Sequence, residues 1–229
     1  MKPQKHWREE DGARLATTVL RLPPGTRAIS SAMLGGGIGP AGWVLNAQVP
    51  GGYARMDPLD HLAEMAASLG LDGPGVAMMT AASVDRTVQA ADGQVQVCAT
   101  VGLRVPTWAA APEGTADPEL APMRLDGSYE PGTINIVVAV PVPLADAALV
   151  NAVITATEAK TQALLEAGYP CTGTASDAIC ITAPTRGEAE PFAGPRSHWG
   201  ARIARAVHTA VLAGANDYTD VLNSRGPLL

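Results

Sequence analysis

The 229-residue sequence predicts an α+β fold, a layered domain of mixed or antiparallel sheet with helices packed on it. Three observations carry that prediction. Between residues 94 and 106, Val95, Val97, Ala99, Val101, Leu103 and Val105 occupy every second position, the period of a strand with one buried face. Segments 57–71 and 146–167 have helical spacing and end on Gly70 and Gly168, the residue type that closes helices. Strand-like runs outnumber helical ones, and their order is mixed rather than strictly alternating.

In chain order, residues 15–34 read as two strands around the Pro23-Pro24-Gly25 turn. Residues 35–43 form a glycine-dense loop. Asp57 stands at the N-cap position and Pro58 in the first helical position. Leu59, Leu62, Met65, Ala66 and Leu69 then repeat at helical spacing. A buried strand is expected at 75–84, followed by the alternating strand at 94–106. Residues 107–131, rich in Pro, Ala and acidic side chains, read as an exposed insertion in a single domain spanning 1–229. "TINIVVAV" at 133–140 is apolar enough to be buried on both faces. The long helix follows, then a strand at 177–184 and an amphipathic helix at 197–214. Trp199, Ile203, Val207, Ala210 and Val211 share the buried side of that last helix.

Composition excludes several function classes. Apolar residues make up 47% and charged residues 17%, a globular balance. Net charge is −6 without a Lys/Arg cluster, so no nucleic acid or anionic membrane is expected as a partner. The three cysteines, Cys98, Cys171 and Cys180, lack CxxC spacing, which suits a reducing compartment. The N-terminal segment is polar, without the apolar core of a signal peptide, and no apolar run is long enough to span a bilayer. A cytoplasmic protein is expected. No metal spacing appears around His6, His61, His198 or His208, so neither a metal nor another cofactor is called for.

The motifs leave alternatives open one at a time. "GIGPAG" at 37–42 fits the dinucleotide pattern G-x-G-x-x-G, but Pro50 and Gly51-Gly52 interrupt where a helix should follow. A turn that lets backbone approach a ligand at Gly36 and Gly37 is the competing reading. Asn46 is either an amide that orients a carbonyl or a turn residue. His198 is either an acid–base group or a surface histidine near a helix end. "GTIN" at 132–135 places Thr133 and Asn135 at the mouth of a buried strand. "TGTASDA" at 172–178 places Thr174 and Asp177 before another. Asp177 is a base, an orienting carboxylate or a turn cap.

The helix between those motifs has an apolar arc of Leu149, Val150, Val153, Ile154, Leu164 and Leu165 at about 100° per residue. Lys160 projects into that arc, Thr157 and Thr161 sit near its middle, and Glu158 lies on its edge. A buried charge without a partner is expensive, so Lys160 is expected to meet a carboxylate, with Asp177 free to reach it, or a ligand.

The order GTIN, then ATEAK, then TGTASD, continued by "FAGPRSHWGARIARAVHTAV" and preceded by "SSAMLGGG", "NAQVPGGY" and "DPLDHLAEMAASLGL", resembles the adenosylcobinamide amidohydrolase family from about residue 28 to 213. The resemblance implies a corrinoid-salvage enzyme of coenzyme B12 synthesis. Its reaction would hydrolyse the amide between the aminopropanol arm and the corrin ring of adenosylcobinamide, giving adenosylcobyric acid. The cobalt would belong to the substrate. Ser176 stands where Thr is more familiar, which keeps the hydroxyl. The alternative is a non-catalytic corrinoid- or nucleotide-binding protein using loop 35–42, and a homo-oligomer is left open. Gly-Thr before a strand, a long helix, then Gly-x-x-Ser-Asp is also similar to the self-processing aminopeptidase and ornithine acetyltransferase hydrolases, which implies an α-β-β-α sandwich. Under these resemblances Thr133 supplies or holds the attacking oxygen. Lys160 serves charge or proton transfer, with Glu158 and Asp177 setting its protonation. Asn46, Gly36, Gly37, Asn135, Thr174 and His198 contact substrate.

Overall fold

The computed structural model describes residues 2–120 and 132–224. Among the described residues, ten strands fall into two sheets. The first has the order β1 (Gln4–Glu10), β2 (Ala13–Arg21), β5 (Trp43–Gln48), β6 (Gly75–Thr80). The second has the order β4 (Gly37–Pro40), β3 (Thr26–Ser30), β10 (Ala178–Pro184), β9 (Ile134–Ala139), β8 (Val95–Val101), β7 (Val88–Asp92). Both sheets are mixed: β5 runs parallel to β6 and β9 parallel to β10, while every other pair is antiparallel.

Side-chain alternation stacks these sheets between helices. On β5, Trp43, Leu45 and Ala47 pack against Leu62, Met65 and Ala66 of helix α1 (Pro58–Ser68), while Val44 faces inward. Between the sheets, Leu20, Val44, Val76 and Met78 meet Ala28, Val137, Ala178 and Cys180. The outer face of the larger sheet, including Ile134, Ile136, Val138, Ile179 and Ile181, packs against helices α2 (Asp146–Glu166) and α3 (His198–Ser224). The layer order is therefore helix, sheet, sheet, helices. The period-2 strand side chains cover two interfaces at once, which is why β9 reads as apolar throughout.

Several elements differ from the sequence expectation. The strands flanking Pro23-Pro24-Gly25 do not pair; β2 lies in one sheet and β3 in the other, so the turn crosses layers. Residues 37–40 form an edge strand paired with β3, not part of a loop. The N-terminal polar segment adds β1, and Asp92-Gly93 turns β7 into β8. Helix α3 runs to Ser224, ten residues beyond the expected end. Asp57 makes no side-chain cap; Arg55 takes both of its carboxylate oxygens, at 2.9 and 2.6 Å. Within the expected insertion, residues 107–120 contribute turns and a bridge from Thr107 to Gly173, and residues 121–131 lie outside the described residues.

Candidate active site

The topology fixes where the motifs meet. Strands β9 and β10 are parallel neighbours, so Thr133 and Asp177, each just before its strand, emerge at the same sheet edge. Helix α2 is the crossover between them. It runs back over the sheet, and its C-terminal half returns to the edge where β10 begins. Lys160 and Asp177 form an ion pair there, with Nζ 2.5 Å from Oδ2. Both side chains are nearly enclosed, 8% and 10% exposed, so the charges neutralise one another in a poorly solvated place.

Asp177 is a hub. Its Oδ1 accepts the backbone N–H of Ile134 at 3.0 Å and the Thr174 hydroxyl at 2.5 Å. Its Oδ2 accepts the Thr174 N–H at 3.1 Å in addition to Lys160. Four donors use the acceptor capacity of a carboxylate. Asp177 therefore ties the start of β9, the loop before β10 and α2 together. Gly173 makes room for the pair: a Cβ there would lie 2.1 Å from Asp177 Oδ2 and 2.5 Å from Lys160 Nζ.

Thr133 is 4% exposed, and its hydroxyl lies 2.8 Å from that of Ser176 in the exposed turn Ala175-Ser176. The Thr133 carbonyl accepts the Gly102 N–H at 3.0 Å. Gly132 allows that close approach, since a Cβ on it would lie 2.5 Å from the Gly102 carbonyl oxygen. The two hydroxyls stand at the mouth of β9, held from behind by the Asp177 hub.

The other expected site residues divide. Asn46 and Asn135 meet between the sheets. Asn135 Nδ2 donates to Asn46 Oδ1 at 2.8 Å and to the Met79 carbonyl at 3.1 Å, and Asn46 Nδ2 donates to Thr100 Oγ1 at 2.9 Å. Asn46 is thus a buried layer contact rather than a rim amide. Loop 31–36 docks on the start of β10, with Ser31 N and Ile179 O at 3.1 Å, which brings Gly36 and Gly37 near the Asp177 edge. Gly36 is needed for packing, since a Cβ would lie 2.4 Å from the Ala32 carbonyl oxygen. Gly37 opens β4, and the next element is another strand, so no helix N-terminus follows this motif.

Three expectations are corrected. Glu158, two residues from Lys160, points the other way on the helix and lines an outer groove with Gln162, Arg205 and His208. His198 starts α3, and the part of α3 beside Gly132, from Asp217 to Leu222, lies about twenty residues of helix, or about 30 Å, further along. Thr157 is exposed and its hydroxyl serves its own helix by bonding the Val153 carbonyl, whereas the Thr161 hydroxyl lies 3.1 Å from the Thr157 carbonyl and 3.3 Å from that of Thr172, in the loop before β10. Ser176 is the residue the candidate set omitted, although its place beside Asp177 in "TGTASD" was the available signal.

Burial pushes all three thiols up, Cys98 to about 11 and Cys180 to about 12. For Cys171 burial dominates, and the neighbouring charges of Asp177 and Lys160 pull in opposite directions. Thiol nucleophiles are thereby disfavoured at neutral pH. Among the described residues, no group of three or more His, Cys, Asp or Glu side chains could hold a metal, and no helix is long and apolar enough to cross a membrane.

A family model described as adenosylcobinamide amidohydrolase matches residues 2–223. A Halobacterium salinarum protein named adenosylcobinamide amidohydrolase is 34% identical over 195 residues, covering 83% of this chain and 80% of that protein. A Methanosarcina mazei protein of the same name is 28% identical over 190 residues, covering 79% of this chain and 86% of that protein.

Proposed function

The chain belongs to the adenosylcobinamide amidohydrolase family, and from that premise we propose that it hydrolyses the amide joining the aminopropanol arm to the corrin ring of adenosylcobinamide. The products are adenosylcobyric acid and the free amino alcohol, in corrinoid salvage for coenzyme B12 synthesis. The observation that carries the assignment of the site is the Thr133–Ser176 hydroxyl contact, fixed in place by the buried Lys160–Asp177 pair.

Amide hydrolysis needs an attacking oxygen, a route for its proton and donors for the tetrahedral oxyanion. Thr133 Oγ1 attacks the carbonyl carbon. Its proton passes through Ser176 Oγ to the departing nitrogen, so the amine leaves neutral and an ester to Thr133 remains. Water then hydrolyses the ester, releasing the corrin carboxylate and restoring the hydroxyl. Asp177 and Lys160 are positioning residues, because the hub locks Thr174 and Ile134 on either side of the hydroxyl pair. Met33, 53% exposed in the loop docked beside β10, offers apolar surface to the corrin rim. The substrate carries its own cobalt, and each step is assigned to side chains or water. A cytoplasmic setting goes with this reading, in which the three buried cysteines remain free thiols.

Incubating the chain with adenosylcobinamide and following the corrinoid by mass tests the reading. Conversion to adenosylcobyric acid is expected. Binding of the corrinoid without any new carboxylate would overturn it in favour of a carrier.

A further inference from the structure

Gly132, joined to Thr133, lines a cavity of about 190 Å³. Its walls come from four places: the end of β5 at Gln48, the turn after β6 at Ser83 and Arg86, the end of β8 at Gly102, and the last turns of α3 at Asp217 and Val221. Resting on the reaction proposed above, we propose that this cavity seats the departing amino alcohol.

The placement follows from the chain. Gly132 lines the cavity and is bonded to Thr133, so consecutive Cα atoms about 3.8 Å apart separate the cavity wall from the proposed nucleophile. An amide attacked at Thr133 has two ends. The macrocycle cannot enter, since 190 Å³ is below the roughly 300–1,000 Å³ of sites that hold drug-sized ligands. The short arm can enter, and it is the part that must leave.

The lining suits a neutral hydroxyl. Gln48 Oε1 accepts the N–H groups of Ala16 at 3.4 Å and Val84 at 3.3 Å, which commits the oxygen and leaves the amide NH2 as the donor. The Ser83 hydroxyl can donate or accept. Arg86 is taken by Asp217 through two hydrogen bonds, one of them from Nε at 2.6 Å, and Arg104, which also lines the cavity, is taken by Glu119, with Nε 2.8 Å from Oε1.

Val221, on the last turns of α3, faces the cavity from an element not bonded to the catalytic strands, so Val221→Trp narrows the space without touching the hub. Two readouts on the full chain test the proposal. The first is the ratio of kcat/KM for adenosylcobinamide over its methylamide analogue; Val221→Trp should lower it at least about tenfold. The second is saturation-transfer NMR with free 1-amino-2-propanol, which should bind the wild type and not the variant. Hydrolysis by the wild type with neither ratio nor binding altered in the variant overturns the cavity assignment and leaves the reaction standing. Amino-alcohol binding that the variant loses, in a wild type that hydrolyses nothing, supports the cavity and overturns the reaction.

Discussion

At the scale of single residues, the site depends on one saturated carboxylate. Removing its cation by Lys160→Met leaves Asp177 charged and enclosed, and we expect a loss of about 3–5 kcal/mol in urea unfolding. Adding Asp177→Asn should recover much of that stability, because the amide oxygen still accepts a backbone N–H, without restoring hydrolysis. Gly173→Ala should separate the pair, since the new methyl would sit 2.1 Å from Asp177 Oδ2 at a backbone φ of +153°. A fall in kcat of about 10²-fold, with the corrinoid still bound, is the expected result for that misplacement. The nucleophile has a sharper test. Thr133→Val preserves shape and removes the hydroxyl, so kcat should drop by about 10³-fold or more, whereas Thr133→Ser should retain measurable turnover. Equal activity in the Val variant would transfer the attack to water.

At the scale of elements, α2 shows how a helix can be recognised correctly while its buried face is misjudged. The expected arc counted large apolar side chains, yet Val150, Ile154 and Leu165 are close to half exposed. The buried stripe is Ala148, Ala152, Ala156, Ala159 and Ala163 with Leu149, Leu164, Thr155 and Lys160. Small side chains let the helix approach the sheet and α3 closely, and that is worth more here than the extra area of larger ones. Ala152→Leu should therefore cost about 1–3 kcal/mol by overpacking, while Ile154→Ser should stay within about 0.5 kcal/mol in the same unfolding assay. The alternating run expected at 94–106 was legible as a strand over Val95–Val101, where every second side chain is apolar, while residues 102–106 lie beyond its end. Strands β1, β4 and β5 were not legible: β1 is polar on an edge, β4 is glycine-rich, and β5 reads as an unpatterned run because both of its faces are buried.

At the scale of the whole molecule, the interface between the two sheets encloses the Cys98 and Cys180 thiols, and burial disfavours their ionisation. Cys98 rises to about 11 and Cys180 to about 12 from an ordinary value of 9.0. A raised folded-state value means the unfolded chain gives up its protons first, so stability is complete below pH 9 and falls as pH climbs toward 11–12. Urea midpoints measured from pH 7 upward should decline above pH 9, and Cys180→Ala should flatten the decline. The proposed reaction uses Thr133 within the chain, so an active sample should show a single intact species of 23.5 kDa. Two fragments divided at Gly132–Thr133 would instead make a freed amine the base.

The sequence by itself determined the class of fold, the helix α2, the family and the three segments that carry Thr133, Lys160 and Asp177, because periodicity and residue order are local properties of a chain. It also pointed to the partner of Lys160, since a buried ammonium admits few solutions. Only the tertiary structure decided that Asn46 lies between layers, that Glu158 and His198 stand apart, and that Asp177 is saturated by four donors. Those facts depend on which strands become neighbours, and the pairing of β10 with β9 joins residues more than forty positions apart through contacts that no local pattern encodes.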